Sequence, residues 1–165
     1  MIRIAALQWD KNKDLLREKL ATGTNFNVSS YLDLVKLTFD VIFNTNYVKN
    51  YWSDRMLNIN KITEIDDGQY QGTLMYVIPF DTYQPGADEY LMTCVSYGSC
   101  SGCDTLQYIK MLGTDYSDDA LLTEQQITAF MSLCKDLIAN TIKPYNYGWR
   151  YDPDFAHTEG LNIDS

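Results

Sequence analysis

Cys100 and Cys103 stand three apart in the stretch TCVSYGSCSGCDTLQ, residues 93–107, and no other local arrangement in the sequence gathers residue types that carry chemistry. Two thiols at C-x-x-C spacing serve as a redox pair, as one half of a metal site, or as the corners of a structural turn. Redox work needs one thiol held as a nucleophilic thiolate. The apolar, strand-like run ahead of the pair and the helix start behind it favour that, because a helix N-terminus lowers a thiol pKa. Asp104 beside the pair acts in the opposite sense, and nothing basic is close in sequence. The pair also follows a meander pattern, whereas thioredoxin-like dithiols belong to a βαβ unit.

For zinc, Cys94, Cys100, Cys103 and Cys134 supply four thiolates, with C-x-x-C as the knuckle of one half. The other half has no matching pair. Cys134 falls on a core-facing helical position, and Cys94 alternates with Met92 and Ser96 like a small buried strand residue. No motif demands a cofactor, and zinc is the one candidate. In the structural reading, Gly98 and Gly102 take backbone conformations that other residues avoid, and Asp104 caps the following helix. An anion-binding role for the loop lacks both G-x-x-x-x-G-K-[ST] and G-x-G-x-x-G, and no Lys or Arg occurs from 62 to 109.

The remaining candidates are weaker as chemistry and stronger as surface. His157, the only histidine, lies in a polar tail far from any cysteine. The carboxylate pairs Asp66-Asp67 and Asp118-Asp119 fall in turn contexts, where they are solvated turn formers. Tyr145, Tyr147, Trp149, Arg150 and Tyr151 gather in the tail, and these are the residue types of protein-binding hot spots. The alternative for that group is aromatic clamping of the tail onto its own domain. Asp115, Asp118 and Asp119, in the acidic connection GTDYSDDALL, join them as candidate contacts to a partner.

Charge narrows the partner. Residues 1–60 hold eight Lys/Arg against six Asp/Glu, and residues 61–165 hold five against sixteen, which gives the net charge of −9. Phosphate neutralisation needs the opposite sign, so direct nucleic-acid binding and an anionic membrane surface are both disfavoured. A basic protein suits such a surface, including one whose own task is to hold nucleic acid. No apolar run reaches the roughly 20 residues of a membrane span. The first residues do not read as a signal peptide, so the expected compartment is a reducing cytoplasm with free thiols.

The elements that must position these residues follow from hydrophobic period. The chain reads as one domain, 1–165, with an N-terminal segment (1–28) and a polar aromatic tail (144–165). QWDKNKDLLREKL places Leu15, Leu16 and Leu20 on one helical face. Ser29 or Ser30 caps YLDLVKLTFDVIFN, an almost wholly apolar run that predicts a buried helix over about 30–44. MLNINKITEI then alternates in period two through Leu57, Ile59 and Ile62 or Ile65, and Asp67-Gly68 marks a turn. GTLMYVIPF and YLMTCVSYG follow as strands around a Pro85-Gly86 loop. DTLQYIKML predicts a short helix capped by Asp104. Thr123 and Gln126 form a capping box for a helix through EQQITAFMSLCKDLIANTI, ended by Pro144. Helices, a meander of three or more strands, and helices again make an α+β domain, its antiparallel sheet (56–98) covered by the helices near 30–44 and 124–142.

GTLMYVIPFDTYQP, YLMTCVSYGSCSGCDTLQ and LCKDLIANTIKPYNYGW together resemble a family of small proteins encoded by bacteriophages of Gram-positive bacteria. The resemblance runs over residues 30–150 or so, and YGSCSGCDTLQ is its most specific string. That family has no assigned activity, so the resemblance implies a phage origin and carries over no catalytic residues. The expectation is a non-enzymatic phage accessory protein that binds and modulates or inhibits a host or phage protein. An anti-defence, anti-CRISPR-like factor that lays an acidic surface in a nucleic-acid groove is one form of it. The alternative is a small thiol or zinc protein in which Cys100 and Cys103 are functional.

Overall fold

The computed structural model describes residues 2–45 and 55–143. Among the described residues, four α-helices and a three-stranded antiparallel sheet make up an α+β fold, as the change of apolar period predicts. The helices are α1 (Ile2–Ala21), α2 (Tyr31–Phe39), α3 (Thr105–Met111) and α4 (Glu124–Ala139). The strands, β1 (Thr63–Asp66), β2 (Gly72–Pro79) and β3 (Tyr90–Tyr97), lie side by side in chain order.

β2 and β3 build the inner face of the sheet by alternation. Leu74 pairs with Val95, Tyr76 with Thr93, and Ile78 with Leu91, while Met75–Cys94 and Val77–Met92 share the outer face. Tyr76, Ile78 and Leu91 are buried in one cluster with Phe39, Ile42, Phe130 and Leu137 from the helices. Burying each such side chain contributes about 1.5–3 kcal/mol, which makes this layer the main source of stability. Helix α4 is fastened to β3 directly, with the Thr93 hydroxyl donating to the Leu137 carbonyl at 2.6 Å.

N-terminal residues do more than a leading segment would. Helix α1 is the longest described, and it packs on α4 and on the end of α2, with Ala5, Leu16 and Leu20 buried. An Arg17–Glu124 ion pair links α1 to the start of α4. Buried Asn12 donates to the Ile42 carbonyl at 3.0 Å. That carbonyl lies where α2 widens into a π-turn, Asp40–Asn44, so the helical run predicted over 30–44 exists but changes pitch. Its start is as expected: Ser30 and Asp33 form a reciprocal capping box.

Two boundaries depart from the sequence expectation. The strand expected through 56–65 is broken: Leu57 makes only a bridge to Phe80, and a 3-10 turn, Ile59–Lys61, intervenes before β1. The cause is local, since the Asn58 side chain accepts from the Asn60 N–H at 3.2 Å and turns the chain. β1 then follows with all four residues exposed. Helix α4 ends at Ala139, well before Pro144. Ile142 must be extended there to exchange two 2.8 Å backbone hydrogen bonds with Met92, which covers the free edge of β3.

Candidate functional site

The cysteine loop is held from beneath by one carboxylate. Asp104, buried, caps α3 by accepting from the Gln107 N–H at 2.8 Å. Its other oxygen accepts from the Gly98 N–H at 3.1 Å, and the Tyr31 hydroxyl donates to the capping oxygen at 3.3 Å. Tyr31 in turn accepts from the Leu106 N–H at 3.1 Å, so α2, α3 and the loop meet at one point. Burial first, and then the Asp104 charge, push the Tyr31 phenol up to about 12.

Above that anchor, residues 100–103 make a tight turn. The Cys103 and Asp104 N–H groups both donate to the Cys100 carbonyl, at 3.0 and 2.8 Å. Both thiols are exposed, and their sulfurs are 2.7 Å apart. The Cys103 sulfur also accepts from the Cys100 N–H at 3.1 Å. The Cys100 thiol, with that N–H and Ser99 assisting, holds the Cys103 thiol below its ordinary range. The Asp104 carboxylate, expected from sequence to oppose this, is engaged under the loop by Gly98, Gln107 and Tyr31 and is not among the groups that set the shift.

The glycines also act differently from expectation. Neither Gly98 nor Gly102 has a left-handed backbone. Gly98 is required by crowding: a Cβ there would lie 2.5 Å from the Cys103 carbonyl oxygen and 2.6 Å from its sulfur. At Gly102 the nearest atom to a Cβ would be the Cys100 sulfur, at an ordinary 3.9 Å.

The four cysteines do not converge, and among the described residues no group of three or more His, Cys, Asp or Glu side chains does. Cys134 is fully buried and accepts from the Thr38 hydroxyl at 3.1 Å. Burial pushes its thiol up to about 12. Cys94 is half-buried on the outer face of the sheet opposite Met75, not in the core position expected for it. Asp66 is the turn former expected, accepting from the Gly68 N–H at 2.9 Å. It also accepts from the Tyr97 hydroxyl at 2.7 Å, a bond that spans β2 at Gly72, where no side chain intervenes.

A second site was only half visible in the sequence. Asp115, Asp118 and Asp119 are exposed on the connection between α3 and α4. This loop is fixed by a segment some ninety residues earlier, the 3-10 turn Asn25–Val28. The Asn25 and Phe26 N–H groups donate to the Ala120 and Asp118 carbonyls at 3.0 and 2.9 Å. The Asn25 side chain adds bonds to the Asp115 and Ser117 carbonyls at 3.1 and 2.8 Å. Phe26, Tyr116 and Leu121 belong to these two joined segments and have 67%, 71% and 63% of their area exposed. Sequence reasoning missed all three and Asn25, because no local pattern links the two segments. Tyr145, Tyr147, Trp149, Arg150, Tyr151 and His157 lie outside the described residues.

Among the described residues, no helix is long and apolar enough to cross a membrane. No protein-family model, curated protein or solved structure matches this chain.

Proposed function

We propose that this protein acts by binding a protein with a basic surface. The observation that carries the reading is the exposure of Phe26, Tyr116 and Leu121 on the two hydrogen-bonded segments that also carry Asp115, Asp118 and Asp119. Three large apolar side chains held open on a hydrogen-bonded frame have the character of interface anchors. The carboxylates around them select a cationic partner and speed its approach. No Lys or Arg occurs from 111 to 134, so the acidic field is undiluted along this stretch.

With the phage resemblance, the reading extends to a phage accessory protein that inhibits a host or phage protein by occupying its nucleic-acid groove. The bare protein then has no measurable affinity for duplex DNA at physiological salt, since like charges repel.

The test is affinity capture with the tagged full chain from an expressing bacterial host, followed by a binding assay on the captured protein. Phe26→Ala with Tyr116→Ala, and separately Asp118→Lys with Asp119→Lys, are expected to weaken that binding about tenfold or more. Tyr83→Ala, at a fully exposed site on another loop, serves as the unaffected control. Binding should weaken as salt rises and compete with the partner's nucleic acid. Equal binding by wild type and both double variants would reject this face as the interface.

A further inference from the structure

We propose that Cys100 and Cys103 form a thiol–disulfide exchange site whose substrates are exposed disulfides, with Cys103 as the attacking sulfur and Cys100 as the resolving one. This stands apart from the binding face, which involves neither residue.

The geometry carries it in three parts. First, the turn at 100–103, closed by the Cys103 N–H to Cys100 carbonyl bond of 3.0 Å, keeps the two Cα atoms within roughly 7 Å. A disulfide needs about 4.4–6.8 Å, so the ring can close on the backbone as it stands. The sulfurs are already 2.7 Å apart. Second, both sulfurs are exposed, unlike Cys134 in the core, so an incoming disulfide can reach them. Third, the two sulfurs are not equivalent. Cys103 alone receives a backbone N–H, that of Cys100 at 3.1 Å, and with Cys103 ionised the Cys100 thiol 2.7 Å away is left as a donor to it, an arrangement that stabilises negative charge on Cys103. As a neutral thiol it can instead donate to the Cys100 carbonyl at 3.2 Å, so the same pocket serves both protonation states.

The lowered Cys103 pKa agrees with that assignment. Asp104 and the crowded Gly98 below hold the turn rigid, which keeps the resolving sulfur in place while the first bond forms.

The steps balance. The Cys103 thiolate attacks a disulfide R–S–S–R, forming Cys103–S–S–R and releasing one thiolate RS⁻. Cys100, losing its proton to solvent, attacks the Cys103 sulfur and expels the second RS⁻. Two cysteine thiols have then lost two electrons and two protons, and the substrate disulfide has become two thiols. An excess of small thiol runs the sequence backwards.

The experiment uses the full chain with oxidised glutathione as the probe disulfide, followed by intact-mass and peptide mapping, with circular dichroism reporting the fold. Wild type is expected to lose two hydrogens in the peptide holding residues 100–103 and to regain them with dithiothreitol. Cys100→Ser should stop at a stable glutathione adduct on Cys103. Cys103→Ser should react at Cys100 on the order of tenfold more slowly than Cys100→Ser reacts at Cys103. Wild type that keeps both thiols free, or that accumulates the adduct without closing the ring, overturns the site. Equal rates for the two single variants, both folded, overturn the assignment of Cys103 as the attacker.

Discussion

Residues 98–104 and residues 113–123 both run into a helix N-cap, Asp104 for α3 and Thr123 for α4, yet they are anchored in opposite ways. The cysteine loop is held from inside, by a buried carboxylate that belongs to the loop itself and reaches back six residues to Gly98. The acidic loop is held from outside, by Asn25 on a distant segment. An internal anchor fixes a small number of atoms closely, which suits two sulfurs that must meet. An external anchor consumes backbone carbonyls and leaves side chains free, which suits a surface that must be met by something else.

The sharpest break in that comparison is at Gly98. A Cβ there collides with the Cys103 backbone as well as with its sulfur, and the backbone cannot swing aside, so Gly98→Ala should destabilise by about 1–3 kcal/mol, read from urea unfolding. Gly102→Ala, four residues on, should be neutral or slightly stabilising, because ordinary space and an ordinary backbone await the methyl group. Equal costs at the two glycines would mean that the loop is not packed against Cys103 as described.

Removing the internal anchor comes next. Asp104→Ala loses the helix cap, the Gly98 tie and the partner of Tyr31, for about 2 kcal/mol. Asp104→Asn keeps a capping oxygen but points an amide at the Gly98 N–H or at the helix, and should cost about half as much. Asn25→Ala should cost about 1 kcal/mol or less, because the Asn25 and Phe26 backbone bonds remain. Its effect should be local, raising amide exchange in residues 113–121 while leaving the cysteine loop unchanged. Uniform acceleration across both loops would refute separate anchoring.

The same contrast decides what was legible in the chain. The Asp104 cap, the Ser30–Asp33 box and the Thr123–Gln126 box are i, i+3 relations, which can be read directly. Strands β2 and β3 were visible because one face of each meets the core. β1 carries Glu64 and Asp66 at inner-face positions and is exposed at all four residues, so its alternation does not mark a buried face. The early end of α4 depends on the edge of β3 needing Ile142, a demand placed by residues fifty positions away. The cysteine pair was found by spacing, but its asymmetry was not, since it depends on where Asp104 and the Cys100 N–H point. Asn25 and Phe26 carry no motif at all. Short-range relations were legible, and pairings across the chain were not.

Opposite ends of the pH scale should separate the two loops, with the smallest effects of all. Tyr31 has its pKa raised from 10.0 to about 12, so the folded state retains a proton that the unfolded chain gives up. Its contribution is therefore fully present below pH 10 and is lost as pH rises through about 12. Cys134, raised from 9.0, begins the same alkaline loss earlier, so Tyr31→Phe is needed to isolate the steeper decline above pH 10. The acidic loop fails from the other side. Asp115 accepts from the Ser117 N–H at 2.9 Å and from its hydroxyl at 2.8 Å, and these bonds hold its carboxyl below the ordinary 3.8. That contribution is present above pH 3.8 and disappears as pH falls through the lower folded value. The Ser117 amide resonance should follow that titration with a midpoint below 3.8, and Asp115→Asn should abolish it. A midpoint at or above 3.8 would show that the loop's turn is not formed around Asp115 in solution.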